Sequence, residues 1–237
     1  MPHVADPDGG GAIPAPSPEG HRQRLRRRFL DAGAEALADY ELLELVLCLA
    51  IPRRDVKPLA KDLLTRFGGF AGVVHAGLPA LLAVPGIKEN AAAALKLVAA
   101  AATRLARHEV LDRPVLSSWD KVVDYCTIAL AHQPRERFHL LFLDRRNALI
   151  ADETQNQGTV DHTPAYPREV VRRALELNAS AVILVHNHPS GDPSPSQADI
   201  AMTRQMDDAL KPIGILLHDH LVIGRKGPYS FRAHGLL

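Results

Sequence analysis

The sequence predicts an α+β protein: a small all-α amino-terminal domain, followed by a domain in which strands and helices alternate. Three observations predict it. From Asp39 to Arg107 the apolar residues recur at helical spacing, ending in the alanine-rich run Asn90 to Arg107. Asp112-Arg113-Pro114 then breaks that pattern. Beyond it, short apolar runs such as Phe138–Leu143 and Ala181–Val185 alternate with capped helical segments. The expected division is a tail over 1–20, a helical domain over 21–110 and a mixed domain over 115–237.

Residues 1–20 hold five prolines and four glycines. They lack an apolar period that would offset the cost of ordering them, so a disordered tail is expected. His21 to Arg28 places five arginines in eight residues, the pattern of a solvated helical face. Asp39 is the expected cap of a helix whose Leu42, Leu43, Val46 and Leu49 recur at helical spacing, and Asp55 that of a helix burying Leu59, Leu63 and Leu64. Leu81 to Ile87 reads as a tight turn between helices. In the second half, Ser118 starts a helix to about Ala131. Phe138–Leu143 and Ala148–Ile150 form a hairpin about Asp144–Asn147, and Pro167 begins a helix to Asn178. Ala181–Val185 is apolar throughout, as in a strand covered on both faces. A helix over 195–210 and strands near 215–223 and 229–231 complete the domain.

The composition narrows the function. The 237 residues carry a formal net charge of +1, so no global field draws the chain to nucleic acid or membrane. No stretch approaches the roughly 20 apolar residues of a membrane span, and no secretory signal is evident. The two cysteines, Cys48 and Cys126, form no CxxC pair; two reduced thiols in a cytoplasmic protein are expected.

The chemistry concentrates in Val185 to Asp199. His186 and His188 stand two apart at a strand end, so both imidazoles face the same side. Ser194-Pro195-Ser196-Gln197 reads as a capping box with Ser194 as the cap. Asp199 then lies on the first turns of that helix, three residues beyond Ser196. Two histidines and one carboxylate, with a fourth position open, form the arrangement of catalytic zinc. One Zn²⁺ per chain is expected on His186, His188 and Asp199, with Ser196 as donor to a tetrahedral oxyanion.

These residues resemble a known family. His186-x-His188-Pro189, the seven residues before Ser196 and Asp199 three further on look like the signature of the JAMM (MPN+) metalloproteases. The string from His186 to Gly191, with Gly158-Thr159-Val160-Asp161, Tyr166-Pro167-Arg168-Glu169 and Asp219-His220, is similar to the RadC (UPF0758) branch. The resemblance implies a three-layer α/β JAB1/MPN (cytidine-deaminase-like) domain and zinc-dependent hydrolysis of a peptide or isopeptide bond in a protein or peptide substrate. It also implies a glutamate base opening the domain's first strand. Glu136 occupies that place, with Glu153 second and Glu169 weaker. His220 with Asp219 is a candidate pair for orienting the site, and His162 a candidate for facing substrate. His218 has no assigned role.

A second function class comes from Val84-Pro85-Gly86-Ile87-Lys88, which looks like half of a helix-hairpin-helix. There Pro85, Gly86 and Lys88 would meet DNA phosphate, with Lys88 where the motif has a second glycine. That reading makes the chain a DNA-binding protein of repair or recombination. A two-metal nuclease ranks last, since a second ligand cluster is missing.

Overall fold

The computed structural model describes residues 18–111, 113–115, 118–157 and 166–237. Of the tail expected over 1–20, residues 1–17 lie outside the described residues, as do Gly158 to Asp161 and His162, whereas residues 18–20 already belong to the first helix.

Among the described residues of the first half there are six α-helices: α1 (Pro18–Ala32), α2 (Asp39–Ala50), α3 (Lys57–Phe67), α4 (Phe70–His75), α5 (Leu78–Leu82) and α6 (Glu89–His108). The core shared by α2 to α6 holds Leu43, Leu47, Leu63, Val73, Leu81 and Leu95, all fully buried. The expected caps shift by a residue. Ala38 holds the cap position of α2, with Asp39 the first helical residue, and the Glu41 carboxylate accepts the Ala38 N–H at 3.1 Å. Asp55 stands one residue ahead of the α3 cap but accepts the Lys57 N–H at 3.0 Å. Lys96 on α6 donates to the carbonyls of Val74, His75 and Ala76, tying down the end of α4.

The second half is a mixed five-stranded sheet between two helical layers. Its elements are α7 (Trp119–Leu130), β1 (Arg137–Leu143), β2 (Leu149–Gln157), α8 (Pro167–Glu176), β3 (Ala181–Asn187), α9 (Gln197–Leu210), β4 (Leu216–Gly224) and β5 (Gly227–Ser230). The strand order is β2-β1-β3-β4-β5, with β3 and β4 parallel and the other neighbours antiparallel. The β1–β2 hairpin turns where expected: the Asp144 carboxylate accepts the N–H groups of Arg146 and Ala148, and Asn147 takes a positive φ of 57°.

Every residue of β3 is buried, as its apolar run predicts. Ile183 and Val185 face α7, alongside Leu141, Leu221 and Ile223. Val182 and Leu184 face α8 and α9, against Val170, Ala174, Met206 and Leu210. The strand continues two residues further than its apolar stretch, to Asn187. The Asn187 side chain accepts the Arg137 N–H and donates to the Arg135 carbonyl, so a polar residue satisfies the backbone at the sheet's end. The two halves meet where α6 runs against α7. There Ala106 packs on the second core, Arg107 pairs with Asp152 on β2, and the rings of His75 and His132 stack.

Candidate metal centre

Strand alternation and one parallel crossover assemble the site. His186 follows Val182 and Leu184 on the β3 face that looks toward α9, and it is 1% exposed. His188 lies just past the strand, held by its backbone N–H on the Ile223 carbonyl at 2.9 Å. Pro189 to Ser196 then turns the chain back, so that α9 begins beside the end of the strand it left. This is the end of a parallel β-α-β unit where side chains converge.

The loop is clamped from β4. Arg225 donates to the carbonyls of Pro189 and Ser190 at 3.0 and 2.8 Å. Gly191 takes a φ of +92°, and Gly224 comes so close to it that a Cβ there would lie 2.5 Å from the Gly191 carbonyl oxygen.

One expectation is corrected here. The capping box is formed by Ser196 and Asp199, not by Ser194 and Gln197, and the helix begins at Gln197 rather than Pro195. Ser194 is engaged elsewhere: its N–H donates to the Asp192 carboxylate at 3.0 Å. Ser196 Oγ accepts the Asp199 N–H at 3.1 Å, and Asp199 Oδ2 accepts both the Ser196 N–H and its hydroxyl at 2.7 Å.

That box aims the Asp199 carboxylate at the histidines. His186 Nε2 and His188 Nε2 lie 3.0 Å apart; Asp199 Oδ1 is 3.4 Å from the first and Oδ2 3.5 Å from the second. Tetrahedral zinc, with bonds of about 2.0–2.1 Å, sets its ligand atoms roughly 3.3 Å apart; each imidazole nitrogen has a carboxylate oxygen near that spacing, and one ligand atom from each residue lies within 4.8 Å of the others. His188 Nδ1 faces the Asp192 carbonyl oxygen at 2.9 Å and donates to it, which orients the ring with Nε2 inward. Among the described residues, these three are the only group of three or more His, Cys, Asp or Glu able to hold an ion.

A neutral His186 and an ionised Asp199 suit a cation, whereas His188 holds a proton more readily until one binds. Burial holds His186 neutral, its pKa down at about 4. Burial opposes the charge on Asp199, but the bond to His188, the nearby His186 and the bonds from Ser196 hold its carboxyl well below the usual range. His188 is raised, first by its bond to Asp199.

The three candidate bases separate. β1 runs antiparallel to β3 with Phe138 opposite His186, so the register continued past the strands brings Glu136 alongside His188. Its charge is among those raising His188. Glu153 faces α8 instead, its carboxylate held by Arg173 at 2.9 Å from Nε to each oxygen. Glu169 pairs with Arg168 and Arg172. The candidate Asp219–His220 pair also divides. The Asp219 carboxylate accepts the N–H groups of His220 and Arg232 and the Ser230 hydroxyl, anchoring the carboxy-terminal segment. The His220 ring bonds His186 and Thr203. Thr203 escaped sequence reasoning; its only signal is its place one helical turn beyond Asp199. His218 meets Trp119 edge-on, away from the ligands.

Comparison with known proteins agrees with this architecture. Residues 116–236 match the family model described as a RadC-like JAB domain, and residues 20–93 match the model described as UPF0758 N-terminal. A UPF0758 protein of Rhodobacter capsulatus is 63% identical over 213 residues, covering 90% of this chain and 100% of that protein. One from Ruegeria pomeroyi is 57% identical over 217 residues, covering 92% of this chain and 97% of its own.

Proposed function

The chain belongs to the UPF0758 family and carries its RadC-like JAB domain, and on that premise we propose that it is a zinc-dependent hydrolase of peptide or isopeptide bonds. One observation carries the reading: two imidazole nitrogens and the carboxylate of Asp199, from β3, its following loop and α9, converge with contacts of 3.0–3.5 Å, a set of three ligand residues that would leave a fourth position for water or substrate. His186, His188 and Asp199 would hold one ion per chain. When bound, the ion supplies Lewis acidity toward water and the scissile carbonyl.

The chain's own groups do the rest. Glu136, beside His188 at the open end of β1, accepts the proton of the attacking water and returns it to the departing amine. Ser196 turns its hydroxyl proton from Asp199 Oδ2 toward the oxygen that gains charge on the carbonyl. Arg225 and the close Gly191–Gly224 contact keep the loop that leads from His188 to Ser196 in place.

The test is cleavage of a proteome-derived peptide library and of isopeptide-linked conjugates by zinc-loaded protein, read by mass spectrometry. New termini with the wild type, reduced about 10²- to 10⁴-fold in Glu136→Gln at equal zinc content, are expected. Equal cleavage by Glu136→Gln would remove Glu136 as base. No cleavage by a fully loaded wild type would remove the hydrolase reading.

A second reading has its own observation. Gly86 takes a φ of +97° between α5 and α6, where a Cβ would meet the Arg54 guanidinium at 2.8 Å. Lys88 sits at the α6 cap position with extended backbone and no side-chain cap, so lysine fits where the motif has glycine. Pro85, Gly86 and Lys88 would there meet DNA phosphate. Lys88→Ala would then weaken duplex binding and lower its salt dependence by about one unit of slope.

A further inference from the structure

Behind the ligand histidines, buried hydrogen bonds connect His186 to the first turns of α9. Thr203 Oγ1 lies 2.6 Å from the Asp199 carbonyl oxygen and 2.6 Å from His220 Nδ1. His220 Nε2 lies 2.8 Å from His186 Nδ1. All three side chains are at most 1% exposed. Phe231 stacks on the His220 ring and Phe138 on that of His186.

The direction of these bonds follows from counting protons. A hydroxyl has one, and a carbonyl oxygen can only accept, so Thr203 donates to Asp199 and accepts from His220 Nδ1. The His220 ring is fully buried, and burial favours the neutral imidazole; with its proton on Nδ1, its Nε2 accepts. The proton between the two rings therefore sits on His186 Nδ1. With that one proton on Nδ1, a neutral His186 ring, 1% exposed, leaves its Nε2 bare toward His188 and Asp199. Run the other way, with the Thr203 proton on His220, the chain would end with a proton on His186 Nε2, the atom that must receive a cation.

We propose that Thr203 is a positioning residue that, through His220, fixes His186 in the tautomer whose Nε2 is free to bind metal. The relay rests on the metal site proposed above. It ties two ligands together, because the helical turn whose carboxylate faces the ion also supplies the carbonyl that orients Thr203.

The test reads the tautomer directly and needs no activity. In metal-free wild type, ¹⁵N-detected NMR of the histidine rings should show His220 protonated on Nδ1 and His186 on Nδ1. Thr203→Val, which keeps the shape and removes the acceptor, should move the His220 proton to Nε2. Zinc affinity, measured against a chromophoric chelator, should fall about 10- to 100-fold. Thr203→Ser should restore both. His220 protonated on Nε2 in the wild type would overturn the proposal, as would wild-type tautomer and affinity in Thr203→Val. Should the valine variant fail to fold, the wild-type and serine spectra still decide. Zinc binding without cleavage would sink the hydrolase reading and leave the relay standing; the opposite tautomer would sink the relay alone.

Discussion

Ser196 and Asp199 cap one another at the start of α9, the serine taking the aspartate N–H and the carboxylate taking the serine N–H and hydroxyl. The same carboxylate reaches His186 and His188. One side chain thus fixes where the helix begins and completes the candidate metal site. Ligand geometry here is a consequence of helix initiation.

Removing that carboxylate separates the two roles. Asp199→Asn keeps an oxygen able to accept the Ser196 N–H, so chemical denaturation of the metal-free protein should shift by less than about 1 kcal/mol. Zinc affinity should nevertheless fall at least 100-fold, because the anionic ligand is gone. Asp199→Ala should lose both, with a stability loss of about 0.5–2 kcal/mol.

The Gly191–Gly224 contact predicts a loop effect. In Gly224→Ala the new Cβ would meet the Gly191 carbonyl oxygen at 2.5 Å and the Pro193 nitrogen at 2.9 Å, both backbone atoms. Relieving that overlap must push the loop after His188 outward. A loss of about 1–3 kcal/mol is expected, with weaker zinc binding although no ligand has changed; calorimetric titration reads both.

Lys96 predicts a cost confined to the helical half. Its ammonium serves three carbonyls at 3.1–3.2 Å, and partial burial lowers its pKa. Lys96→Met leaves those carbonyls to solvent, and the site is half-exposed, so a loss of about 1–2 kcal/mol is expected in urea unfolding. Zinc affinity should not change.

Asp152 predicts acid sensitivity. It lies against Tyr125, His139 and Arg107. Burial works against its charge, but the bonds from His139 and Tyr125 and the charges around it hold its pKa below the ordinary value. A depressed carboxyl contributes stability that is present above its unfolded pKa of about 3.9 and is lost as pH falls through the folded value. Urea midpoints measured from pH 6 down to 2 should therefore fall less steeply below about pH 4 in Asp152→Asn than in the wild type.

The legible parts of the sequence were those set by local periodicity. The apolar run of β3, the Asp144–Asn147 turn and the spacing of His186 and His188 each carry their structure in neighbouring residues. Two overlapping boxes, Ser194-x-x-Gln197 and Ser196-x-x-Asp199, satisfy the same local rule. What separates them is tertiary: Asp192 takes the Ser194 N–H, and the histidines lie beside the second carboxylate. The partner of His220 was hidden for a similar reason. A register irregularity between β3 and β4, where Leu217 pairs with Val182 but Asp219 with Ile183, decides which β4 side chains face α9, and nothing local announces it. Glu136 could be placed by analogy of position alone; its nearness to His188 needed the β1–β3 register.

The central claim is that His186, His188 and Asp199 hold one metal ion, and elemental analysis of purified, zinc-reconstituted protein tests it most directly. The account predicts about one zinc per chain in the wild type and none in a folded His186→Ala, His188→Ala double variant. A folded wild type that retains no metal after reconstitution, or a double variant that retains a full equivalent, would contradict it.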